Sequence, residues 1–359
     1  MDYLKDQIIT YIGNKRKILP FIERSLNQIG IKDYTFLDLF SGSGIVSRLA
    51  KVHGAKKIIA NDLEYYSMVL NRVFLRNDED DREYFDYLKE KVLTRPLVEG
   101  WVCENYAPKD DNDIQRGERC FYTRENALLI DSYLEFLKQQ PTEVAHMLIA
   151  PLIYEASVHT NTSGVFKGFY KNKQGIGQFG GEGKNALQRI CGKIDPQFPV
   201  FCPNETENII ISADASTVVK DTKIVEQAKG IDITYIDPPY NQHPYGSNYF
   251  MLNAIAKCKC PEEISKVSGI PKDWNRSIYN KRVEGVMQLL KDIENVDSKY
   301  VLLSYSSEAY LPIKDMVAEL AKIGLITNLQ EIDYNVFRGS RNLSNRPKKL
   351  QEYLITIRK

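Results

Sequence analysis

The sequence predicts an α/β protein with a Rossmann-like sheet and an inserted region that is mainly helical and loop. Residues 34–40 form a short apolar run that is followed by a glycine-rich turn, a helical stretch and a second apolar run. Further strand-like apolar runs return only after residue 205. The length of 359 residues also exceeds the roughly 100–200 typical of one domain, which leaves room for an insertion.

The first part of the sheet follows from the spacing of apolar residues. Residues 17–29 are predicted to form an amphipathic helix, with one face made of Ile18, Phe21, Ile22, Leu26 and Ile29. Strands are predicted over 34–40 and 57–60, and helices over 45–52 and 63–75. A strand, a glycine turn, a helix, a strand ending in an acid and another helix make a parallel βαβ pattern.

The rest of the chain separates an insertion from the remaining strands. Helices are predicted over 124–139 and 143–157, and a glycine-rich loop over 164–183. Strands are predicted over 208–212, 231–236 and 300–304, with an antiparallel pair over 329–336 and 352–357 at the sheet edge. We therefore predict one α/β domain from residues 1–100 and 206–359, with residues 101–205 inserted into it.

Composition excludes several classes of protein. With 43% hydrophobic and 26% charged residues, the chain is not expected to be disordered. The longest apolar stretch, Met147–Tyr154, is far shorter than the ~20 residues that span a bilayer. No signal peptide is visible, so a cytoplasmic location is expected. The six cysteines form no C-x-x-C pair and the histidines number only four, so no metal site is expected.

The turn that follows the first strand has the features of a cofactor site. Phe40, Gly42 and Gly44 belong to an F-x-G-x-G sequence, and glycines let the backbone approach a ligand closely. A dinucleotide fingerprint would need glycine where Ser47 stands, and no P-loop lysine follows.

The acids near this turn indicate which ligand it accepts. Asp38, directly before the turn, suits a positively charged ligand, and Asp62, after the second strand, stands where an acid can hold ribose hydroxyls. A cationic, ribose-bearing cofactor without phosphates is S-adenosylmethionine. A plain tight turn is the alternative interpretation.

Asp237-Pro238-Pro239-Tyr240 directly follows a predicted strand and indicates the chemistry. The two prolines make the turn rigid, at the strand end where α/β sheets bind ligands. The Asp237 carboxylate and the Pro238 carbonyl are expected to lack local donors, so they match the two N–H bonds of an exocyclic amino group. Tyr240 offers a flat face for a base. Accepting both N–H bonds frees the amino lone pair to attack a sulfonium methyl, and Asp237 takes up the proton or passes it to water.

Several motifs together make the chain resemble the Dam-type DNA adenine-N6 methyltransferases. The matching motifs, in chain order, are Tyr11-Ile12-Gly13-Asn14-Lys15, the F-x-G-x-G turn, Asn61-Asp62, D-P-P-Y, and the basic segment from Phe337 that precedes Glu352-Tyr353-Leu354-Ile355. They cover roughly residues 8–75 and 208–357. The resemblance implies a class I methyltransferase sheet and cofactor contacts from Tyr11, Lys15, Asp62 and Asp237. Asp214 is a candidate contact for the cofactor adenine or, alternatively, a helix cap.

The resemblance implies an S-adenosylmethionine-dependent enzyme that flips an adenine out of a specific duplex DNA site and methylates N6. We expect it to be part of a restriction–modification system, with any cognate restriction endonuclease acting separately. Methylation of cytosine N4 or of an RNA base is the alternative within the same chemistry. A DNA-binding regulator that has lost turnover is the alternative from a different class.

Target reading is assigned to the insertion. The net charge of +1 gives no indication of nucleic acid, so the prediction depends on local clusters. Lys167, Lys171 and Lys173 lie in the glycine-rich loop, and Arg338 and Arg341 lie between the last two strands. We expect them to contact DNA, or alternatively only to face solvent. The region around Phe166 departs from the family pattern, which leaves the target sequence open. The polar, aromatic segment 243–249 is expected to be a loop that closes over a flipped base or, alternatively, a plain long loop.

Overall fold

A seven-stranded sheet forms the centre of the computed structural model, which describes residues 2–9, 11–77, 81–220, 230–240, 242–335 and 349–359. Its strands are β1 (Thr35–Asp38), β2 (Lys57–Asn61), β3 (Glu207–Ile211), β4 (Ile231–Ile236), β5 (Ser298–Ser306), β6 (Leu325–Asn335) and β7 (Lys349–Arg358). The order across the sheet is β3-β2-β1-β4-β5-β7-β6. The first five strands are parallel, and β7 is antiparallel to both of its neighbours. The predicted α/β sheet and its antiparallel edge pair are confirmed.

Thirteen helices surround or extend this sheet within the described residues. They are α1 (Leu19–Ile29), α2 (Ile45–Val52), α3 (Tyr65–Phe74), α4 (Arg82–Leu93), α5 (Trp101–Tyr106), α6 (Arg124–Leu137), α7 (Thr142–Val158), α8 (Leu187–Ile190), α9 (Ala215–Val218), α10 (Tyr245–Asn248), α11 (Phe250–Ala256), α12 (Glu284–Asn295) and α13 (Ile313–Ile323). Short 3-10 turns cover Lys15–Ile18 and Ile278–Asn280.

The topology brings the two predicted site turns side by side. After β1 the chain moves outward through β2 and β3, and then returns to place β4 on the other side of β1. This reversal is a switch point, where α/β sheets bind ligands beyond the carboxyl ends of the strands. Asp38 is in register with Tyr235, so the glycine turn after β1 adjoins the turn that follows β4.

Both faces of the sheet are covered, as expected for parallel strands. Every residue of β4 is buried. Leu37 and Ile236 pack in the hydrophobic cluster on one face, and Phe36 and Ile233 pack in the cluster on the other. A core of this kind holds the strand ends rigidly, which fixes the positions of the turns that follow them.

The insertion packs tightly against the sheet domain. α7 is apolar almost all round and contacts α3 and α11, and their buried side chains share one hydrophobic cluster. The apolar run Met147–Tyr154 lies inside this helix. Within the described ranges, no helix combines the length and apolar character needed to cross a bilayer. The domain limits at residues 100 and 205 remain predictions.

Two segments differ from their predicted conformations. Segment 243–249, expected as a loop, contains the helical turn α10, because the rings of Tyr245 and Tyr249 pack against Tyr11. The glycine-rich loop 164–183 contains a small hairpin with a bridge between Lys171 and Gly177. The helices that were not predicted are α4, α5, α8, α9, α11, α12 and α13.

Candidate active site

A cleft opens at the switch point, between the turns that follow β1, β2 and β4. It encloses about 660 Å³, including its open mouth, which is in the range of small-molecule sites. The residues that line it are Tyr11, Phe40, Gly42, Asn61, Asp62, Leu63, Glu64, Tyr66, Asp214, Ala215, Asp237, Pro239, Tyr245, Gly246, Asn275, Ser277, Tyr279 and Asn280. Seven of the predicted site residues therefore line the same cleft: Tyr11, Phe40, Gly42, Asp62, Asp214, Asp237 and Pro239.

The glycine turn takes a conformation that side chains would not permit. Gly42 and Gly44 have φ values of +50° and +75°. A Cβ atom on Gly42 would lie 2.1 Å from the hydroxyl oxygen of Tyr11, and one on Gly44 would lie 2.5 Å from the side-chain oxygen of Asn71. The Tyr11 hydroxyl in turn accepts the N–H of Ser43 at 3.1 Å. Glycine is thus needed for close packing, and Gly44 supports the turn without lining the cleft.

Asp62 is fixed in the cleft wall by the backbone around it. Its two carboxylate oxygens accept the N–H groups of Gly42 and Glu64, each at 2.8 Å. Burial raises the pKa of Asp62, although these hydrogen bonds oppose the shift. The acid therefore links the turns after β1 and β2, and it faces the same space as the glycine turn.

Glu64 is a cleft residue that the sequence analysis missed. It is 5% exposed, and its carboxylate accepts hydrogen bonds from the amides of Asn253 and Asn275. Burial is the main cause that raises the pKa of Glu64 to about 7. The only sequence signal was its position two residues after Asp62, since both amide partners come from distant segments.

Asp38 lies beneath the cleft and does not line it. The residue is 1% exposed, and one carboxylate oxygen accepts the Ser47 hydroxyl at 2.7 Å. The other oxygen has no hydrogen-bond partner in the described part of the chain. Burial raises the pKa of Asp38 to about 7, with Ser47 opposing the shift.

The helix cap predicted for Asp214 is confirmed, and its contact with the cofactor adenine remains a prediction. Its side chain caps α9 by accepting the N–H of Ser216 at 2.9 Å, and it also lines the cleft. Beside it, the ring of Phe40 meets Tyr279 edge-on at 5.0 Å between centroids. This corner of the cleft combines an acid with two aromatic rings.

The carboxylate of Asp237 does have a local donor, which corrects the expectation from the sequence. The ammonium of Lys15 lies 3.0 Å from one Asp237 oxygen. Burial raises the pKa of Asp237, and the charge of Lys15 opposes that shift. The pairing could not be read from the sequence, because 222 residues separate the two positions.

The rest of the D-P-P-Y turn is held by its neighbours. Pro239 lines the cleft, and Pro238 lies with Tyr240 beside a smaller adjacent cavity. The Tyr240 ring contacts Tyr305 edge-on at 6.2 Å, and its hydroxyl donates to Glu352 at 3.4 Å. Burial raises the pKa of the Tyr240 hydroxyl far above its usual value, so it stays protonated.

The electrostatic character of the cleft is strongly acidic. Four carboxylates line it, from Asp62, Glu64, Asp214 and Asp237. Neither lysine nor arginine is among the described lining residues. Asp237 is paired with Lys15, and the pKa of Glu64 is raised to about 7. The remaining negative charge would still repel a phosphate-bearing ligand and attract a cation. Among the described residues, no group of three or more His, Cys, Asp or Glu side chains is arranged so that it could hold a metal ion.

The three lysines predicted to contact DNA are not among the residues that line the cleft. Lys167, Lys171 and Lys173 are exposed, and the Lys171 ammonium lies 4.8 Å from the centre of the Phe169 ring. The buried Asn161 organises their loop by donating to Cys120 and accepting the N–H of Gly180. Arg338 and Arg341 lie outside the described residues.

The fold and the cleft define a Rossmann-like enzyme whose site lies at the switch point of its sheet. Residues 11–176 and 202–318 match the family model of the D12 class N6 adenine-specific DNA methyltransferases. The match covers well over half of the chain, which therefore belongs to this family. The resemblance to Dam-type enzymes is confirmed, and the chain is a site-specific adenine DNA methyltransferase.

Full-length relatives agree with this assignment. The type II methyltransferase M.CviAII of Paramecium bursaria Chlorella virus 1 is 31% identical over 97% of this chain and 98% of its own length. The type II methyltransferase M.NlaIII of Neisseria lactamica is 27% identical, over 98% and 99%. The modification methylase LlaI of Lactococcus lactis subsp. lactis is 29% identical over 97% of this chain but only 55% of its own length.

Proposed function

We propose that the acidic cleft binds S-adenosylmethionine beside Asp237 and that the enzyme methylates N6 of an adenine flipped out of a specific duplex DNA site. The observation that carries this proposal is a cleft lined by four carboxylates, without lysine or arginine among its described residues, that ends at the D-P-P-Y turn. Family membership supports the reaction class, and the charge of the cleft supports the cofactor.

The residues present fit a cationic, ribose-bearing, phosphate-free cofactor. Asp62 suits the ribose hydroxyls, because its fixed carboxylate retains acceptor capacity. Phe40 and Tyr279 offer aromatic surface for the adenine, and Asp214 an acceptor. When bound, S-adenosylmethionine supplies an electrophilic methyl group on a sulfonium.

The D-P-P-Y turn would hold the target amino group. Asp237 and the carbonyl of Pro238 accept its two N–H bonds, which localises the nitrogen lone pair. Tyr240 provides a flat face for the base, and such stacking is worth ~1–3 kcal/mol. Asp237 takes up the proton that N6 loses or passes it to water. Lys15 keeps the carboxylate in place at 3.0 Å.

A base inside a duplex cannot reach such a cleft, so base flipping is part of the proposal. The insertion, residues 101–205, would read the target, with its exposed lysines on phosphates. Two of the relatives are named type II methyltransferases and one a modification methylase. We infer that this enzyme likewise modifies DNA within a restriction–modification system, with the endonuclease acting separately.

A methyl-transfer assay on duplex DNA tests the proposal. Radiolabelled S-adenosylmethionine should label N6-methyladenine, identified after digestion to nucleosides, and Asp237→Ala should reduce turnover at least ~10²–10³-fold. The variant should still fold, because Lys15 retains Glu352 nearby. The exposed-acid variant Asp86→Ala is the matched control.

Three other results would contradict the proposal. Label on cytosine N4, or on RNA alone, would favour the alternative substrates. DNA binding by the wild type without any transfer would favour an inactive regulator. Near-normal methylation by Asp237→Ala would overturn the role of the turn.

A further inference from the structure

Glu352 is a buried acid that the chemistry described above does not use. It lies on β7, in register with Ser306 of β5, and is 6% exposed. One carboxylate oxygen accepts the Tyr240 hydroxyl at 3.4 Å. The other lies 4.0 Å from the Lys15 ammonium and has no hydrogen-bond partner in the described ranges. Glu352 does not line the cleft, so it can act there only through these neighbours.

Lys15 is therefore shared by two carboxylates. Its ammonium lies 3.0 Å from Asp237 and 4.0 Å from Glu352, and the residue is 6% exposed. Burial alone would lower the pKa of Lys15, but the charges of Asp237, Tyr240 and Glu352 raise it well above its usual value. Lys15 thus stays charged. Burial raises the pKa of both acids, and the charge of Lys15 opposes both shifts. When both acids are ionised, these three side chains carry a formal charge of −1.

The net charge of the cluster formed by Lys15, Asp237 and Glu352 affects which ligand the cleft prefers. An isolated Lys15–Asp237 pair would be neutral and would attract a cation little more than an uncharged group. A second acid 4.0 Å from the Lys15 ammonium leaves one negative charge uncompensated. Because the cluster is buried, this charge is poorly screened by solvent and acts over a longer range than a surface charge.

We propose that Glu352 is a positioning residue that shares Lys15 with Asp237, keeps this cluster net negative and so makes the cleft prefer the sulfonium of S-adenosylmethionine over the neutral thioether of S-adenosylhomocysteine. The inference rests on the proposed function, which places the sulfonium beside Asp237. The same preference disfavours the thioether product, which the enzyme must release before the next turnover.

Calorimetric titration of both ligands tests the inference. Glu352→Gln retains an acceptor for the Tyr240 hydroxyl but removes the charge. Affinity for S-adenosylmethionine should fall about tenfold, while affinity for S-adenosylhomocysteine should change less than about twofold. Glu352→Asp, which restores the charge on a shorter side chain, should give an intermediate ratio. Glu308→Gln removes an exposed carboxylate nearby and should leave both affinities unchanged.

The possible outcomes distinguish failure of the role proposed for Glu352 from failure of the proposed function. Equal losses for both ligands would show that Glu352 only supports the fold, and an unchanged ratio in Glu352→Gln would also overturn the inference. If Glu352→Gln does not fold, complete loss of the preference in Glu352→Asp, which retains the charge, would overturn it as well. A wild-type protein that binds neither ligand would instead overturn the proposed function.

Discussion

At the residue scale, the acids of the cleft differ in the groups that hold their carboxylates in place. Asp62 is held by backbone N–H groups, Glu64 by two amides and Asp237 by a lysine. A carboxylate that accepts backbone or amide N–H groups keeps its position without neutralisation, whereas an ion pair also reduces the local negative charge. The three acids are therefore suited to different parts of one ligand.

Tyr240 should contribute mainly through its ring. Tyr240→Phe retains the flat face and loses only a long hydrogen bond to Glu352, so it should keep substantial activity. Tyr240→Ala should lose stacking worth ~1–3 kcal/mol and fall much further in kcat/KM on duplex DNA. A Phe variant as inactive as the Ala variant would assign the role to the hydroxyl.

Asp62 should affect the cofactor and not DNA. Removing its charge-assisted hydrogen bonds, worth ~1.5–3 kcal/mol, should weaken S-adenosylmethionine binding of Asp62→Ala about ten- to a hundredfold. Calorimetry measures this loss, and a duplex-binding assay should show little change. Asp86→Ala, which removes an exposed acid outside the cleft, is the control. If the cofactor affinity of Asp62→Ala were unchanged, the role of Asp62 would be limited to joining the turns after β1 and β2.

At the element scale, parallel strands determine which turns meet. The carboxyl ends of β1, β2 and β4 lie at one edge of the sheet, so residues from three distant segments line one cleft. The insertion is attached through the apolar helix α7, which packs on α3 and α11. A firmly packed helix gives the exposed hairpin around Lys171 a fixed base.

That hairpin should bind DNA phosphates. Replacing Lys171 and Lys173 with Ala should weaken binding to cognate and scrambled duplexes alike, and the salt slope should fall by about one for each phosphate that is no longer neutralised. Binding curves at several salt concentrations measure both effects. The control is the same double replacement at Lys314 and Lys322, which are exposed on α13, the helix that contacts the edge strand β6. No change in slope would mean that the hairpin lysines only face solvent.

At the scale of the whole molecule, buried acids make stability depend on pH. The pKa of Asp38 is raised to about 7 by burial, against an ordinary value near 3.8. Between these values the folded protein keeps a proton that the unfolded chain has released, so the stability contribution falls as pH rises through that window.

Asp38→Asn should remove this dependence. The unfolding free energy of wild type minus that of the variant should fall by on the order of a few kcal/mol from pH 4 to 7 and stay flat above. Denaturant unfolding at several pH values measures it, with Asp86→Asn as the control. A difference that does not vary with pH would show that Asp38 has an ordinary pKa.

The sequence by itself determined the sheet, the two site turns and the reaction class. Apolar runs and glycines report local conformation, and D-P-P-Y combines rigidity with its chemistry in four adjacent residues. Tertiary structure alone decided the partners of those residues. Lys15 lies near both Asp237 and Glu352 because the order of strands brings residues from both ends of the chain to one edge. Asn253 and Asn275 hold Glu64 because tertiary packing brings their distant segments to it. Such pairings depend on strand order and packing, which no local pattern encodes.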